Sequence, residues 1–172
     1  IGSMDDLNAA TMNDVQEWFK NYYGPNNAVL VLAGDIDLET AKVLVNKYFG
    51  DIPAGPNLAK PKKWIAKRTN TKREIIFDNV PQTRIMKVWN VPESGTIESS
   101  ALELIASTIS GSKNSPLYQN LVYLNPLATS VSAYYYGREI GGLFIISADV
   151  SNTSNVEEVE KVIDSTLKKY LK

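Results

Sequence analysis

"GDIDLETAKVLVNKYFGDIPAGP", residues 34–56, sets carboxylates at alternate positions: Asp35, Asp37 and Glu39. A D-x-D-x-E run is how a calcium loop begins, and that loop needs glycine at its sixth position and a bidentate glutamate at its twelfth. Counted from Asp35, those positions hold Thr40 and Asn46. Both fall inside an amphipathic run in which Ala41, Leu44, Val45 and Tyr48 share one stripe. The stretch therefore reads as structure: Asp35 ends a strand, Asp37 caps a helix, Glu39 stabilises its first turn, and Gly50 closes it.

Upstream, Thr11 with Asp14 three residues on predicts a capped helix start, and Val15, Trp18, Phe19 and Tyr22 form its apolar face. Gly24-Pro25 stops it. The uniformly apolar Asn27–Ala33 suits a strand buried on both faces. Downstream, the pattern dissolves into prolines and a basic run. Residues 60–73 (KPKKWIAKRTNTKR) hold seven basic side chains and no acid, leaving 11 basic and 19 acidic residues elsewhere. Clustered Lys and Arg with a tryptophan could contact phosphates. The run has no helical or strand period and hangs on an acidic body, so a solvated linker is the better reading and no nucleic acid is expected. The division is 1–55, a linker over 56–72, and 73–172.

The second half reads as strands at Arg73–Phe77 and Arg84–Val91, then a helix over Ile97–Ser110 between Thr96 and Gly111. A helical turn follows at Pro116–Tyr123. Strands at Thr129–Tyr136 and Leu143–Asp149 are joined by "GREIGG" as a hairpin. In the first, Val131, Ala133 and Tyr135 alternate with Ser130, Ser132 and Tyr134, so one face is buried and one wetter. Asn155 caps a last helix with a stripe of Val156, Val159, Ile163, Leu167 and Tyr170. Without a βαβ rhythm, the fold class is α+β, a mostly antiparallel sheet packed against helices.

Composition removes much chemistry. The 172 residues include no cysteine and no histidine. Disulfides, thiolate nucleophiles, imidazole ligands and Ser-His-Asp triads are thereby excluded within this chain. The longest unbroken apolar run, Ala28–Ala33, is six residues, so no membrane span is expected. The start, "IGSMDDLNAA", has neither a basic nor a hydrophobic segment, and no signal peptide is read there. "ISGSKNSPLY" (109–118) lacks phosphate-loop spacing, and no Ser-x-x-Lys or G-x-S-x-G pattern occurs. No catalytic and no metal-ligating residue is assigned. At this length one sizeable core, or two small ones, is affordable.

Taken together, "DLNAATMNDVQEWFKNYYGPNNAVLVLAGDIDLETAKVLVNKYFGDIPAGP" closely resembles the M16 zinc peptidases, the family of pitrilysin, insulin-degrading enzyme and the mitochondrial processing peptidase. "ALELIASTISGSKNSPLYQNLVYLNPLATSVSA" resembles that family's helix, glycine-rich turn, Ser-x-Leu-Tyr segment and following strand. The resemblance implies a LuxS/MPP-like metallohydrolase fold, present as parts of two related α+β domains. It also implies an inverted His-x-x-Glu-His zinc site lying outside this chain, so zinc belongs to the parent protein and no cofactor to this piece. By the same resemblance the piece matches the inactive, C-terminal domain. It would wall a peptide-holding chamber and contact a second M16-type half or subunit, as in a dimer. Scaffolding in an assembly without catalysis is the alternative. The family's substrate-holding arginine and tyrosine fall at Val122 and Thr129, and its S-R-L is Ser115-Pro116-Leu117. Gly111, Ser115, Tyr118 and Thr129 are the candidate substrate contacts, with strand addition at a sheet edge the expected mode. Periplasm and cytoplasm both remain open as compartments.

Overall fold

The computed structural model describes residues 2–170, which divide into two compact units, one up to Lys60 and one from Pro61 onward.

The first unit is helical. Helix α1 (Met4–Ala9) is capped by the Ser3 hydroxyl, and α2 (Met12–Tyr22) begins in the expected reciprocal box of Thr11 and Asp14. A single 3-10 turn, Pro25–Asn27, follows. Helix α3 (Leu38–Phe49) is capped by Asp37, whose carboxylate accepts the Thr40 N–H at 2.8 Å. Glu39 pairs with Lys42 at 3.1 Å across one turn. The opening carboxylates are thus a helix start. The segment after α2 is tied to the one after α3 by a two-way amide clamp. Asn26 Nδ2 donates to Gly55 O at 3.0 Å, and Gly55 N–H donates to Asn26 Oδ1 at 2.8 Å. Gly24 lies against Gly55 so closely that a Cβ there would come within 2.4 Å of the Gly55 nitrogen. Only glycine fits.

Two expectations fail here, for one reason. Residues 28–33 form no strand, and Val29 is 90% exposed. A strand that is apolar on both faces needs neighbouring strands for its N–H and C=O groups and cover for both faces. This unit offers only helices. For the same reason the α2 and α3 stripes stay open: Trp18 stacks on Tyr22 at 4.2 Å and Phe19 on Tyr23 at 4.6 Å, yet all four remain exposed. No large apolar side chain of this unit is buried among the described residues.

The second unit holds the core. Strands β1 (Arg84–Val91), β2 (Ala128–Gly137) and β3 (Gly142–Val150) form an antiparallel sheet in the order β1-β3-β2. Helix α4 (Ile97–Ser110) starts with a Thr96–Ser99 box, and α6 (Val156–Tyr170) with Asn155 Oδ1 accepting the Glu158 N–H at 2.8 Å. Between α4 and β2 a short turn α5 (Pro116–Tyr118) runs into a π-helical turn, Gln119–Tyr123. Ile146 is wholly buried between β1 and β2, and Ile109, Leu117, Leu121, Val159 and Ile163 close over the sheet from the helical side. The predicted strand Arg73–Phe77 is not formed. It has no ladder partner, and Phe77 is 92% exposed.

Candidate functional site

Pairing register sorts the side chains of the sheet onto two faces. Ile85, Lys87, Trp89 and Val91 stand opposite Ala148, Ile146, Phe144 and Gly142, and these oppose Val131, Ala133 and Tyr135. This is the face covered by α4 and α6: Ile146 and Ala148 pack with Ala106, Ile109 and Ile163. Lys87 reaches α6 from it, donating to Glu160 at 3.2 Å and Asp164 at 2.5 Å, while Arg73 pairs with the same Glu160. These bonds, Arg73 foremost, hold the Glu160 carboxyl below its ordinary value.

The opposite face carries Arg84, Met86, Val88 and Asn90 from β1, Leu143, Ile145, Ser147 and Asp149 from β3, and the even-numbered residues of β2. No helix of the described residues in this unit packs on it, and Met86 and Val88 remain 52% and 49% exposed. Its two ends differ. At one, Arg84 grips Asp149 with two bonds of 2.7 and 3.3 Å while Ser130 Oγ donates to the same carboxylate at 2.8 Å. Those donors, Arg84 first, hold the Asp149 carboxyl below the usual range. At the other end lie Tyr134, Tyr136 and Arg138, with the guanidinium 4.3 Å from the Tyr136 ring centre. Near the hairpin tip, Trp64 N–H donates to Ile140 O at 3.0 Å, and Asn90 Nδ2 donates to Ala66 O at 2.7 Å.

The sheet's two edges also differ. Ala133 N–H donates to the Ser110 hydroxyl at 2.7 Å, and the one proton of that hydroxyl is shared between Ala106 O at 3.1 Å and Ala133 O at 3.3 Å. The end of α4 therefore occupies the β2 edge. On β1, the bond from Val150 N–H to Thr83 O at 2.8 Å sets the alternation. Odd residues face β3, and Arg84, Met86, Val88 and Asn90 turn their backbone groups outward.

The sequence-derived candidates are placed as follows. Gly111 caps α4, its N–H donating to Ser107 O at 2.8 Å. Ser115 is buried, and its hydroxyl accepts the Ser112 N–H at 3.0 Å, closing a turn. Tyr118 is half-buried in α5. Thr129 is the extra residue of a β-bulge between Ala128 and Ser130, and its hydroxyl donates to Gln82 Oε1 at 3.1 Å. No hydrogen bond joins any two of these four. Val122 packs against the core from the π-helical turn. The polar end at Arg84, Asp149 and Ser130 was not singled out from sequence. Its signal was the wetter alternation along β2, which names a face but not its partners across strands.

No group of three or more His, Cys, Asp or Glu side chains among the described residues could hold a metal ion. With no histidine or cysteine in the chain, the residues do not fit a zinc centre. No helix of the described residues is long and apolar enough to cross a membrane.

A helix-covered antiparallel sheet with a bare second face defines an α+β module. The family described as "Peptidase M16 inactive domain" matches residues 9–172, and the chain belongs to it. It is 23% identical to the zinc protease PqqE of Helicobacter pylori, over all of this chain and 39% of that protein. An uncharacterized zinc protease of Mycobacterium tuberculosis is 25% identical over 86% of this chain and 34% of its own length. Among solved structures, a protease from Helicobacter pylori superposes with a TM-score of 0.79 at 22% identity, covering 98% of this chain and 41% of that one. A peptidase M16 inactive domain from Pseudomonas fluorescens gives 0.76 at 19% identity, covering 97% and 41%. The structural likeness establishes the fold. The chain spans roughly two-fifths or less of these relatives.

Proposed function

We propose that this chain is the non-catalytic portion of a longer bacterial zinc metallopeptidase. Its helix-free sheet face would line the chamber that holds peptide, and a second M16-type half or subunit would face it across that space. One observation carries the reading. Both long helices lie on the same side of the sheet, leaving Met86, Val88, Tyr134 and Tyr136 uncovered beside a neutralised Arg84–Asp149 pair. A surface that is apolar, aromatic and hydrogen-bonding suits extended peptide better than bulk water. Zinc would be held by residues outside this chain: the relatives are named zinc proteases, and among the described residues no His, Cys, Asp or Glu cluster fits the ion. The division 1–55, 56–72 and 73–172, with the middle span as a linker between parts of two related domains, belongs to the same proposal; the contacts at Gly111, Ser115, Tyr118 and Thr129 are proposed apart from that face, since the first three lie in the α4–β2 connection.

The test is elemental analysis and peptide hydrolysis, each on the full-length parent and on this chain. One zinc per parent with hydrolysis, and neither for this chain, is the expected result. Stoichiometric zinc on this chain would overturn the proposal. A second reading, scaffold without catalysis, is favoured by Val122 and Thr129 standing where the resemblance places an arginine and a tyrosine. Val122 is packed inward and Thr129 is engaged with Gln82. A zinc-free parent that still binds its partner half would select that reading.

A further inference from the structure

We propose that the hairpin end of the bare face reads an acidic side chain on an extended peptide, with Arg138 as the specificity residue. The inference rests on the chamber-lining reading above and adds to it a substrate class.

Four observations converge. First, Tyr134, Tyr136 and Arg138 follow one another at alternate positions along β2 and its turn, on the face the helices leave open. Alternate residues of one extended chain repeat about every 6.8 Å, and alternate side chains of a peptide laid along it keep the same spacing. Second, the apolar half of the face flanks that row, with Val88 and Met86 exposed, Leu143 half-buried and Ile145 buried between the strands. Third, the two arginines described on this face, Arg84 and Arg138, are not equivalent. Arg84 is spent on Asp149, whereas Arg138 takes no carboxylate among the described residues and lies over the Tyr136 ring instead. Fourth, the Arg138 guanidinium donates no side-chain hydrogen bond among the described residues, so its N–H groups stay available to grip a carboxylate in bidentate fashion.

The partner that satisfies all four is an extended segment with apolar side chains at two alternate positions and Asp or Glu two residues further. The apolar pair covers Tyr134 and Tyr136, and the acid meets Arg138. We commit to a side-chain carboxylate and not a chain end, because Arg138 sits on an exposed turn past which a peptide can continue.

The test uses the 172-residue chain and three fluorescein-labelled peptides followed by anisotropy at low salt. They are Phe-Ser-Phe-Ser-Glu amide, its Gln counterpart as amide, and the Gln counterpart with a free C-terminus. The Glu amide is expected to bind about three- to fivefold more tightly than the Gln amide, the range of a single exposed ion pair. The difference should shrink in high salt, vanish in Arg138→Gln and be reduced without vanishing in Arg138→Lys, whose point charge attracts a carboxylate but cannot grip it in bidentate fashion. Circular dichroism would confirm that both variants remain folded. Equal binding of the Glu and Gln amides, or a preference untouched by Arg138→Gln, overturns the inference and leaves the lining reading standing. A free-terminus Gln peptide matching the Glu amide overturns the side-chain assignment. No binding of any peptide overturns the inference and the lining reading together.

Discussion

Ser110 shows how much one side chain decides. Its hydroxyl accepts the Ala133 N–H on the β2 edge at 2.7 Å, with Ala106 O and Ala133 O both in reach of its one proton. An unpaired edge is a template for other strands, and proteins commonly cover such edges. Ser110→Ala removes the plug and leaves a half-buried N–H without its partner. The expected cost is about 1 kcal/mol, read from the urea midpoint, with faster amide exchange at Ala133. An unchanged exchange rate at that amide would show that the plug contributes nothing. A serine at a helix C-terminus carries no mark in sequence of which distant strand it will meet, so this role was illegible there. The cap at Asp37, by contrast, was fully legible, because a capping bond reaches only three residues along the chain.

At the scale of elements, α6 is the one whose sequence and packing agree most closely. Its stripe was readable from spacing, and Val159 and Ile163 are both wholly buried against the sheet. Ile163→Ala is expected to cost about 3 kcal/mol, the usual loss for deleting a fully buried aliphatic side chain and leaving a cavity. Denaturant unfolding checks it, and a loss below 1 kcal/mol would mean that the site collapses without strain. The helix is also held electrostatically, through Lys87 and Arg73 on Glu160. Arg73 and Lys87 lower the Glu160 carboxyl, and Arg84 with Ser130 lowers that of Asp149, so each binds its proton more weakly folded than unfolded. Their contribution is therefore complete above the ordinary carboxylate range and is lost as pH falls through the folded values. Stability should fall steadily below about pH 4, and Asp149→Asn combined with Glu160→Gln should flatten that fall. A double variant with an undiminished acid slope would place the titration elsewhere.

For the whole molecule the consequential fact is the unequal distribution of the core. Among the described residues, every buried apolar side chain lies in the unit from Pro61 onward, and the unit up to Lys60 buries none of its large ones. Hydrophobic burial is the main term opposing chain entropy. A fragment from residue 61 to the end should therefore unfold cooperatively, whereas a fragment of the first 60 residues should show no cooperative transition by circular dichroism. A sharp thermal transition in the shorter fragment would contradict this. Apolar dye should bind the full chain, with the signal reduced when residues 29–32 are replaced by serine.

Sequence by itself determined the four longer helices α2, α3, α4 and α6 with their caps, the three paired strands, the α+β class and the absence of histidine and cysteine chemistry. Each of these depends on residue type or on spacing within a few positions of the chain. Tertiary structure alone decided that residues 28–33 and 73–77 find no sheet, because a strand exists only where another strand accepts its hydrogen bonds. It also decided that both long helices cover one face. That arrangement left Tyr134, Tyr136 and Arg138 in a row on the other, a matter of register between strands far apart in the chain.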